Sequence, residues 1–253
     1  MNKKPSHGRN IFLNPNSIKG MKVSIQGDDY HYLKHVRRVS EGSLLNAVIG
    51  RRKYLLSISN IGRNDILCDI LENHSTQYEQ SVYIRAYQGL LKSRKMDLVV
   101  SKLSELGVEA LFPIKTERTV PAIHTGNEKM KRWMKIAAEG SKISGSERVM
   151  KIHEPKDFHP LIIQLKRENA ENLLIFSTDP LSLHIKKVLN SIDYSRGIKF
   201  HLFFGPEGGF RENEVLSIMA LKGIPVSLGQ FVLKSETAAI IGAGFTRLFY
   251  EGK

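Results

Sequence analysis

Two glycine-rich segments in the C-terminal part of the chain carry the residues best suited to chemistry. The first reads Gly205-Pro206-Glu207-Gly208-Gly209-Phe210, and the second runs from Leu228-Gly229 through Val232-Leu233-Lys234-Ser235-Glu236-Thr237. Each follows a short apolar run and precedes a helical pattern, so each is predicted to be a turn from a strand into a helix. Because such turns can meet at one edge of a parallel sheet, where α/β proteins bind ligands, we expect both segments to form one site.

Acidic residues around the first turn argue against a phosphate ligand. Glu207, Glu212 and Glu214 surround the predicted helix start, where a phosphate would need backbone N–H groups and a positive field. The glycines permit close approach of the backbone to a flat ring. The Walker A and dinucleotide-binding patterns are both absent from the sequence. These features favour a ligand that carries hydroxyl groups or positive charge.

Alternating strands and helices from Ser81 onward would position these turns. Predicted strands cover Val82–Gln88, Val108–Ile114, Asn172–Ser177, Lys199–Phe204 and Pro225–Leu228. Predicted helices cover Met96–Leu106, which Gly107 would end, Asn127–Ser144 with a stripe of Met130, Trp133, Met134 and Ala137, and segments near Leu161–Arg167, Leu181–Leu189 and Glu212–Leu221. This alternation predicts a doubly wound parallel sheet.

A final helix is expected after the second turn, with Ser235 as its N-cap. Gly242 and Gly244 lie in its interior, where each glycine is unfavourable by about 1 kcal/mol relative to alanine. Close packing must offset that cost. The packing surface is either a subunit interface or the core of the chain itself.

Residues 1–75 have a different texture, with short strands broken by turns. Predicted strands cover Met21–Ile25, Ser43–Ile49, Tyr54–Ile58 and Ile66–Leu71, with a hairpin turn at Gly50-Arg51-Arg52. Only Asp28–Val36 has helical character, so the pattern predicts a small β-barrel. The polar stretch Glu72–Gln80 is the expected linker.

The charge of the chain indicates a polyanionic partner. The 253 residues have a formal net charge of +13, and residues 1–75 contain 12 Lys or Arg against 6 Asp or Glu. Nucleic acid is the commonest such partner, although a generally basic proteome would explain part of the charge. A single cysteine, Cys68, fits a reducing cytoplasm, and no apolar run suits a membrane span or a signal peptide.

Considered together, these motifs resemble the SPOUT class of S-adenosylmethionine-dependent RNA methyltransferases, and most closely the bacterial 16S rRNA uracil-N3 methyltransferases. The resemblance covers nearly the whole chain. It rests on GPEGGF…ENE and LG…VLKSETA, together with His31…Val36-Arg37-Arg38-Val39, Gln88-Gly89-Leu90, Lys95-Met96, Glu105-Leu106-Gly107-Val108, Glu117-Arg118 and Trp133…Ile136-Ala137. It implies a PUA-like RNA-binding β-barrel over residues 1–75 and a SPOUT methyltransferase domain over 81–253 with a C-terminal trefoil knot. It also implies a homodimer that binds S-adenosylmethionine and acts in the cytoplasm on 16S rRNA or the small ribosomal subunit.

The resemblance also implies roles for individual residues. The expected cofactor-binding residues are Ser177, Thr178, Leu202, Gly205, Glu207, Gly208, Gly209, Leu228, Gly229, Val232, Leu233 and Thr237. The expected catalytic residues are Lys234, Glu236 and Arg118. Lys234 and Arg118 would be cations that stabilise a uracil anion, and Glu236 would be a carboxylate that takes the N3 proton. The expected RNA-binding residues are His31, Arg37, Arg38, Lys92, Arg94, Lys95 and Arg148.

Two departures from the family pattern are visible. Lys234 stands where the family usually has arginine, which keeps the charge but loses two-point hydrogen bonding. The family's Glu-Gln-Ser/Cys-x-Arg segment reads Glu139-Gly140-Ser141-Lys142-Ile143, so Lys142 or Arg148 would have to supply the missing positive charge.

Two alternatives stay open. One is a SPOUT enzyme for another RNA or another atom, and the second is an inert RNA-binding assembly protein. A zinc site at His31 and His35 would need further ligands that the sequence does not offer, so no metal is expected.

Overall fold

The computed structural model of the protein describes residues 10–49, 52–75, 81–120, 126–144, 146 and 148–251. The chain divides into two compact units. The first comprises residues 1–78 and 141–148, and the second comprises residues 79–140 and 149–253. The sequence prediction kept segment 141–148 with the second half, because the helical pattern continues into it without a break.

The first unit is a six-stranded, mostly antiparallel sheet. Its elements are β1 Ile11–Leu13, a 3₁₀ turn Pro15–Ser17, β2 Ile18–Lys19, β3 Lys22–Gln26, α1 Gly27–His31 extended by a π-helical turn Tyr32–Val36, β4 Leu44–Ile49, β5 Arg52–Ile61 and β6 Asp65–Ser75. The strand order is β1-β4-β5-β6-β3-β2, and among the described strand pairs of this unit only β1–β4 is parallel. Alternate side chains of β5 are buried, as expected for a strand with one face on a core.

Three sequence predictions for this unit can be compared with the structure. The helical segment at 28–36 is confirmed. The predicted linker begins too early, because Glu72–Ser75 continue β6 and pair with β5. The pairing satisfies the backbone N–H and C=O groups of this stretch, and its polar side chains gave no sign of a strand. Gly50 and Arg51 of the predicted turn lie outside the described residues, as do 76–80 of the predicted linker.

The second unit is an α/β assembly in which all the described strand pairs are parallel. Its elements are β7 Val82–Gly89, α2 Ser93–Glu105, β8 Ala110–Lys115, α3 Asn127–Ser144, β9 Lys151–Ile152, β10 Lys156–Asp157, α4 Phe158–Arg167, β11 Leu173–Phe176, β12 Leu183–His184, α5 Ile185–Ser191, β13 Ile198–Phe204, α6 Glu212–Met219, β14 Ile224–Ser227 and α7 Ser235–Tyr250. The strand order is β10-β8-β7-β13-β11-β14-β12, with β9 beside β8.

Most predicted elements are present, and the differences have local causes. Gly107 has φ +68 in the turn after α2, the left-handed conformation expected of a glycine that ends a helix. Helix α5 begins at Ile185 rather than Leu181, because β12 first adds a strand to the edge of the sheet. Met134 is half exposed although Met130 and Trp133 beside it are buried.

The N-cap prediction at Ser235 is wrong, since Lys234 occupies that position and Ser235 is the first helical residue. The hydroxyl of Ser235 donates instead to the carbonyl of Gly205. The glycines of α7 pack within the chain itself. A Cβ atom on Gly242 would lie 2.7 Å from the Phe176 ring, whereas one on Gly244 would lie 3.6 Å from Leu106.

Candidate ligand-binding site

A cavity of about 630 Å³ lies where β11, β13 and β14 end at their carboxyl edge. Three loops that follow these strands form it, together with the first turn of α7. The loops are Ser177–Thr178, Gly205–Phe210 and Leu228–Lys234, which meet because parallel neighbouring strands end at the same edge. Both glycine-rich segments of the sequence therefore contribute to one site.

The structure brings together most of the predicted cofactor-binding residues. Those that line the cavity are Ser177, Thr178, Gly205, Glu207, Gly208, Gly209, Leu228, Gly229, Val232 and Leu233. Leu202 does not line it, because its side chain is fully buried inside the sheet. Thr237 does not line it either, since the helix turns its side chain away from the direction taken by Glu236.

Backbone conformation explains why glycine occupies these loops. Gly209 has φ +69 and Gly229 has φ +126, both in the region that side chains disfavour. A Cβ atom on Gly205 would lie 2.9 Å from the backbone of Gly209, so the first loop folds back tightly on itself. The hydroxyl of Ser227 donates to the carbonyl of Gly229 and accepts its N–H, which closes the second loop.

Glu207 lies against the start of α2 rather than pointing freely into the cavity. Its Oε1 accepts from Lys95 Nζ at 3.0 Å and from the backbone N–H of Lys92 at 3.4 Å. Burial by itself would raise the pKa of the Glu207 carboxyl, but backbone N–H groups and the Lys95 ammonium hold that pKa below its ordinary value. The hydrogen bond to Glu207 raises the pKa of Lys95. The pair is therefore charged near neutral pH.

Arg118 supports the first loop from the opposite side. Its guanidinium Nη1 donates to the carbonyl of Gly208 at 2.7 Å, and its aliphatic stem would meet a Cβ atom on Gly208 at 3.2 Å. Arg118 therefore lines the cavity while one of its donors holds the glycine loop. The predicted catalytic role of Arg118 stays a prediction.

Glu236 and Lys234 flank the beginning of α7, and both line the cavity. The Glu236 side chain is buried, and its Oε2 has no hydrogen-bond partner among the described residues. Lys234 is exposed immediately before the helix. A buried carboxylate oxygen without a partner is costly to maintain, and Glu236 lines the cavity, which marks this carboxylate as a contact for a ligand or substrate group.

Glu214, near the first loop, has a structural role. Glu214 is buried and accepts backbone N–H groups from Arg211 at 2.8 Å and from Glu117 at 3.0 Å. It thereby caps α6 and ties the helix to the segment after β8. Of the three glutamates that the sequence placed around the helix start, only Glu207 lines the cavity.

Aromatic rings form one wall that the sequence analysis missed. Phe176 and Phe204 are the last residues of β11 and β13, and their rings stack at 4.5 Å between centroids. Both line the cavity, and Gly242 allows them to pack directly on α7. An aromatic residue at the end of each strand, immediately before a predicted ligand turn, was the available signal.

The predicted RNA-binding residues are distributed over both units. Lys92 and Arg94 are exposed at the start of α2, whereas Lys95 lines the cavity. In the first unit His31 and Arg38 are exposed and Arg37 is half-buried, at the end of the helical segment; Arg148 is exposed in the segment 141–148.

Lys142 is committed to an ion pair within the first unit. Its Nζ lies 2.8 Å from Asp29 Oδ1, and both side chains are largely buried. This pairing argues against Lys142 as the substitute for the arginine of the family segment.

The rings of His31 and His35 stack with their centroids 5.7 Å apart. No cluster of three or more metal-ligating side chains occurs in the described ranges.

The fold and cavity define a doubly wound α/β protein with a cofactor-sized site formed by loops at the carboxyl ends of its strands. Two family models match the chain. One, described as an RNA methyltransferase domain, covers residues 78–246, and the other, described as an RNA methyltransferase PUA domain, covers residues 25–71. The chain belongs to the RNA methyltransferase family.

Individual relatives agree with this assignment. The chain is 24% identical over 222 residues to the ribosomal RNA small subunit methyltransferase E of Bacillus subtilis, covering 86% of each chain. It is 27% identical over 252 residues to the ribosomal RNA small subunit methyltransferase E 2 of Borreliella burgdorferi, covering 96% of this chain and 98% of the relative.

Solved structures show the same fold. The ribosomal RNA small subunit methyltransferase E of Neisseria gonorrhoeae, solved bound to S-adenosyl methionine, superposes with a TM-score of 0.80 at 22% identity. The match covers 96% of this chain and 98% of that one. The predicted parallel α/β fold of the SPOUT type, preceded by a PUA-like unit, is confirmed, while the knot stays a prediction.

Proposed function

We propose that this protein methylates N3 of a uracil in the RNA of the small ribosomal subunit, with S-adenosylmethionine as methyl donor. The observation that carries the proposal is the cavity itself. It joins both glycine-rich loops, two stacked aromatic rings and a buried carboxylate in a chain of the RNA methyltransferase family. Relatives named for small-subunit rRNA methylation, one of them solved with S-adenosyl methionine, support the choice of substrate and cofactor.

The residues present fit S-adenosylmethionine. When bound, it supplies an electrophilic methyl group on a positively charged sulfur. The loop Leu228–Leu233 offers backbone N–H and C=O groups suited to an adenine edge, and Gly229 keeps that backbone open to a flat ring. The Glu236 carboxylate, which lines the cavity, offers an acceptor for a hydroxyl or a positive charge. The cavity lining also holds the carboxylates of Glu207 and Glu236, which suit the hydroxyl groups and positive charge of this cofactor.

The chemistry at uracil requires removal of a proton from N3 and stabilisation of the resulting anion. Glu236 is the candidate base, because it is a buried carboxylate that lines the cavity and has an oxygen with no described partner. Lys234, two residues earlier and exposed at the same cavity, would stabilise negative charge on the uracil oxygens. Arg118 would assist indirectly by holding the Gly208 loop.

A substitution tests these roles. Glu236→Gln should lower kcat by about a hundredfold or more if the carboxylate takes the proton, with a smaller effect on cofactor affinity. Lys234→Gln should lower kcat while Lys234→Arg retains most of it. Near-normal turnover of Glu236→Gln would remove Glu236 from the role of base.

The first unit is proposed to bind RNA as the PUA-like domain of residues 1–75. Arg37 and Arg38 directly follow its helical segment, and Arg38 is exposed. Replacing both arginines with glutamate should weaken RNA binding and flatten its dependence on salt concentration, because each phosphate contact releases counterions. An unchanged slope of log affinity against log salt would contradict this assignment.

A homodimer, a trefoil knot and a cytoplasmic location complete the proposal. Phe231 and Val232 at the cavity rim are 76% and 80% exposed, and Leu248 of α7 is 66% exposed. Apolar exposure of this extent favours burial by a second copy of the chain. No helix within the described part of the chain is long and apolar enough to cross a membrane.

A further inference from the structure

Gln88 is a fully buried polar residue at the end of β7 that none of the proposed chemistry uses. Its side chain has no solvent exposure, yet it lies beside both loops of the cavity. Its amide Nε2 shares its two N–H groups among three acceptors, which are Ser235 Oγ at 2.9 Å, the carbonyl of Gly89 at 2.9 Å and the carbonyl of Gly205 at 3.3 Å. Gln88 itself does not line the cavity.

These bonds connect the start of the first loop with the end of the second. Gly205 is the first residue of the loop after β13, and Ser235 is the first residue of α7 directly after the second loop. The Ser235 hydroxyl also donates to the Gly205 carbonyl, so the three groups form a closed triangle. The three hydrogen-bond partners of Nε2 are oxygens, and two of them are carbonyls that can only accept, so these bonds require a donor at this position.

The neighbouring residue shows that the arrangement is close-packed. A Cβ atom on Gly89 would lie 2.4 Å from the backbone nitrogen of Pro206 and 2.5 Å from its Cδ. The end of β7 is therefore pressed against the first loop, and the Gln88 amide has little freedom to move. Displacing it would shift Gly205 and Ser235 relative to each other.

We propose that Gln88 is a positioning residue that sets the spacing of the two cavity loops and thereby the affinity for the cofactor. This inference rests on the proposed function, because it takes S-adenosylmethionine as the occupant of the cavity. It requires a donor at the Gln88 position and a hydroxyl at Ser235. A role in filling volume alone would require neither.

Gln88→Glu separates these two roles through its pH dependence. An ionised glutamate would place negative charge among three acceptor oxygens, whereas a protonated glutamate regains one O–H donor. Burial and these neighbours raise the pKa of such a carboxyl, so it should titrate within the range where the protein can be studied. Gln88→Leu has similar bulk but no donor at any pH, and Gln164→Glu is a control whose amide makes only surface bonds to Lys156 and Glu168.

The test is isothermal titration of each variant with S-adenosylmethionine from about pH 6 to about pH 8.5, with circular dichroism and RNA binding as checks on folding. Relative to the unaltered protein, Gln88→Glu should bind about tenfold or more weakly at high pH and recover part of that loss at low pH. Gln88→Leu should stay weak throughout, and Gln164→Glu should bind normally. Equal affinity of Gln88→Glu and the unaltered protein at every pH would overturn the inference.

A second pair of variants carries the test if Gln88→Glu does not fold. Ser235→Thr keeps the hydroxyl, whereas Ser235→Val has the same shape without it. Ser235→Thr should bind the cofactor within about threefold of the unaltered protein, and Ser235→Val about tenfold more weakly. Equal affinities of the Ser235→Thr and Ser235→Val variants would overturn the inference. Failure of the unaltered protein to bind S-adenosylmethionine would instead overturn the proposed function, together with the inference that rests on it.

Discussion

The ammonium of Lys95 and the carboxylate of Glu207 lie 3.0 Å apart at the edge of the cavity. The sequence assigned Lys95 to RNA and Glu207 to the cofactor, whereas the structure joins them in one ion pair. Because Glu207 also accepts the backbone N–H of Lys92, the pair ties the loop after β13 to the start of α2. A residue expected to bind RNA and a residue expected to bind the cofactor are therefore joined in one ion pair.

Glu207→Gln should remove the pH dependence that this carboxyl contributes. Its folded-state pKa lies below the ordinary value, so its stabilising effect is complete above the ordinary carboxyl pKa and is lost as the pH falls through the lowered one. The stability difference between the unaltered protein and Glu207→Gln should shrink as the pH falls from about 7 to about 3. Denaturant unfolding at a series of pH values measures it, and a difference independent of pH would contradict the assignment.

Gly242→Ala should disturb the aromatic wall of the cavity. The new Cβ would lie 2.7 Å from the Phe176 ring and 2.9 Å from the Phe204 ring, so one ring must move. We expect a loss of about 1–3 kcal/mol in the free energy of unfolding, together with weaker cofactor binding.

Gly244→Ala is the matched control in the same helix. Its Cβ would meet Leu106 at 3.6 Å, an ordinary contact. It should leave cofactor binding unchanged and stabilise the protein by up to about 1 kcal/mol, because alanine favours helix. Thermal unfolding and cofactor titration compare the two variants. Equal stabilities and equal cofactor affinities of Gly242→Ala and Gly244→Ala would contradict the predicted effect of the ring contacts.

His201 should make the protein sensitive to mild acid. Its Nδ1 lies 2.9 Å from the Tyr87 hydroxyl in a buried stack of rings, and burial, followed by the Arg85 guanidinium, lowers the pKa of His201 to about 4. Because the unfolded chain takes up this proton first, stability should fall by up to about 3 kcal/mol as the pH drops from about 6.5 to about 4.

His201→Gln should abolish that component of the acid sensitivity, while glutamine can still bond to the Tyr87 hydroxyl. The measurement is the free energy of unfolding of both proteins across the same pH range. NMR titration of His201 gives the pKa directly. A pKa near 6.5 would contradict the account of the buried ring stack.

Substitutions at the cavity rim test the proposed homodimer. Phe231→Glu and Val232→Glu together should give a monomer, because two charges would have to be buried at the interface. Leu216→Glu, at a residue of α6 that is 56% exposed, should leave the dimer intact. Sedimentation equilibrium distinguishes the two states, and a monomeric unaltered protein would remove the dimer from the proposal.

The sequence was sufficient for the fold class and for the loops of the site, because strand-turn-helix patterns with glycine report local backbone requirements. The positive φ values of Gly209 and Gly229 are examples. The sequence could not show which side chains pair across the sheet. The Lys95–Glu207 pair and the Gln88–Ser235 bond join residues 112 and 147 positions apart. Leu202 was predicted to bind the cofactor because the whole end of its strand was assigned to the site. The sequence did not distinguish this fully buried position from the residues that lie in the loop.

The most direct test of the central claim is methylation of small ribosomal subunits taken from cells that lack this protein. The purified protein is incubated with them and with S-adenosylmethionine labelled in the methyl group, and the RNA is digested to nucleosides for mass spectrometry. We expect the label in 3-methyluridine from the small-subunit RNA alone, and its loss when Glu236→Gln replaces the unaltered protein. Label in another nucleoside, or no label at all, would contradict the proposed function.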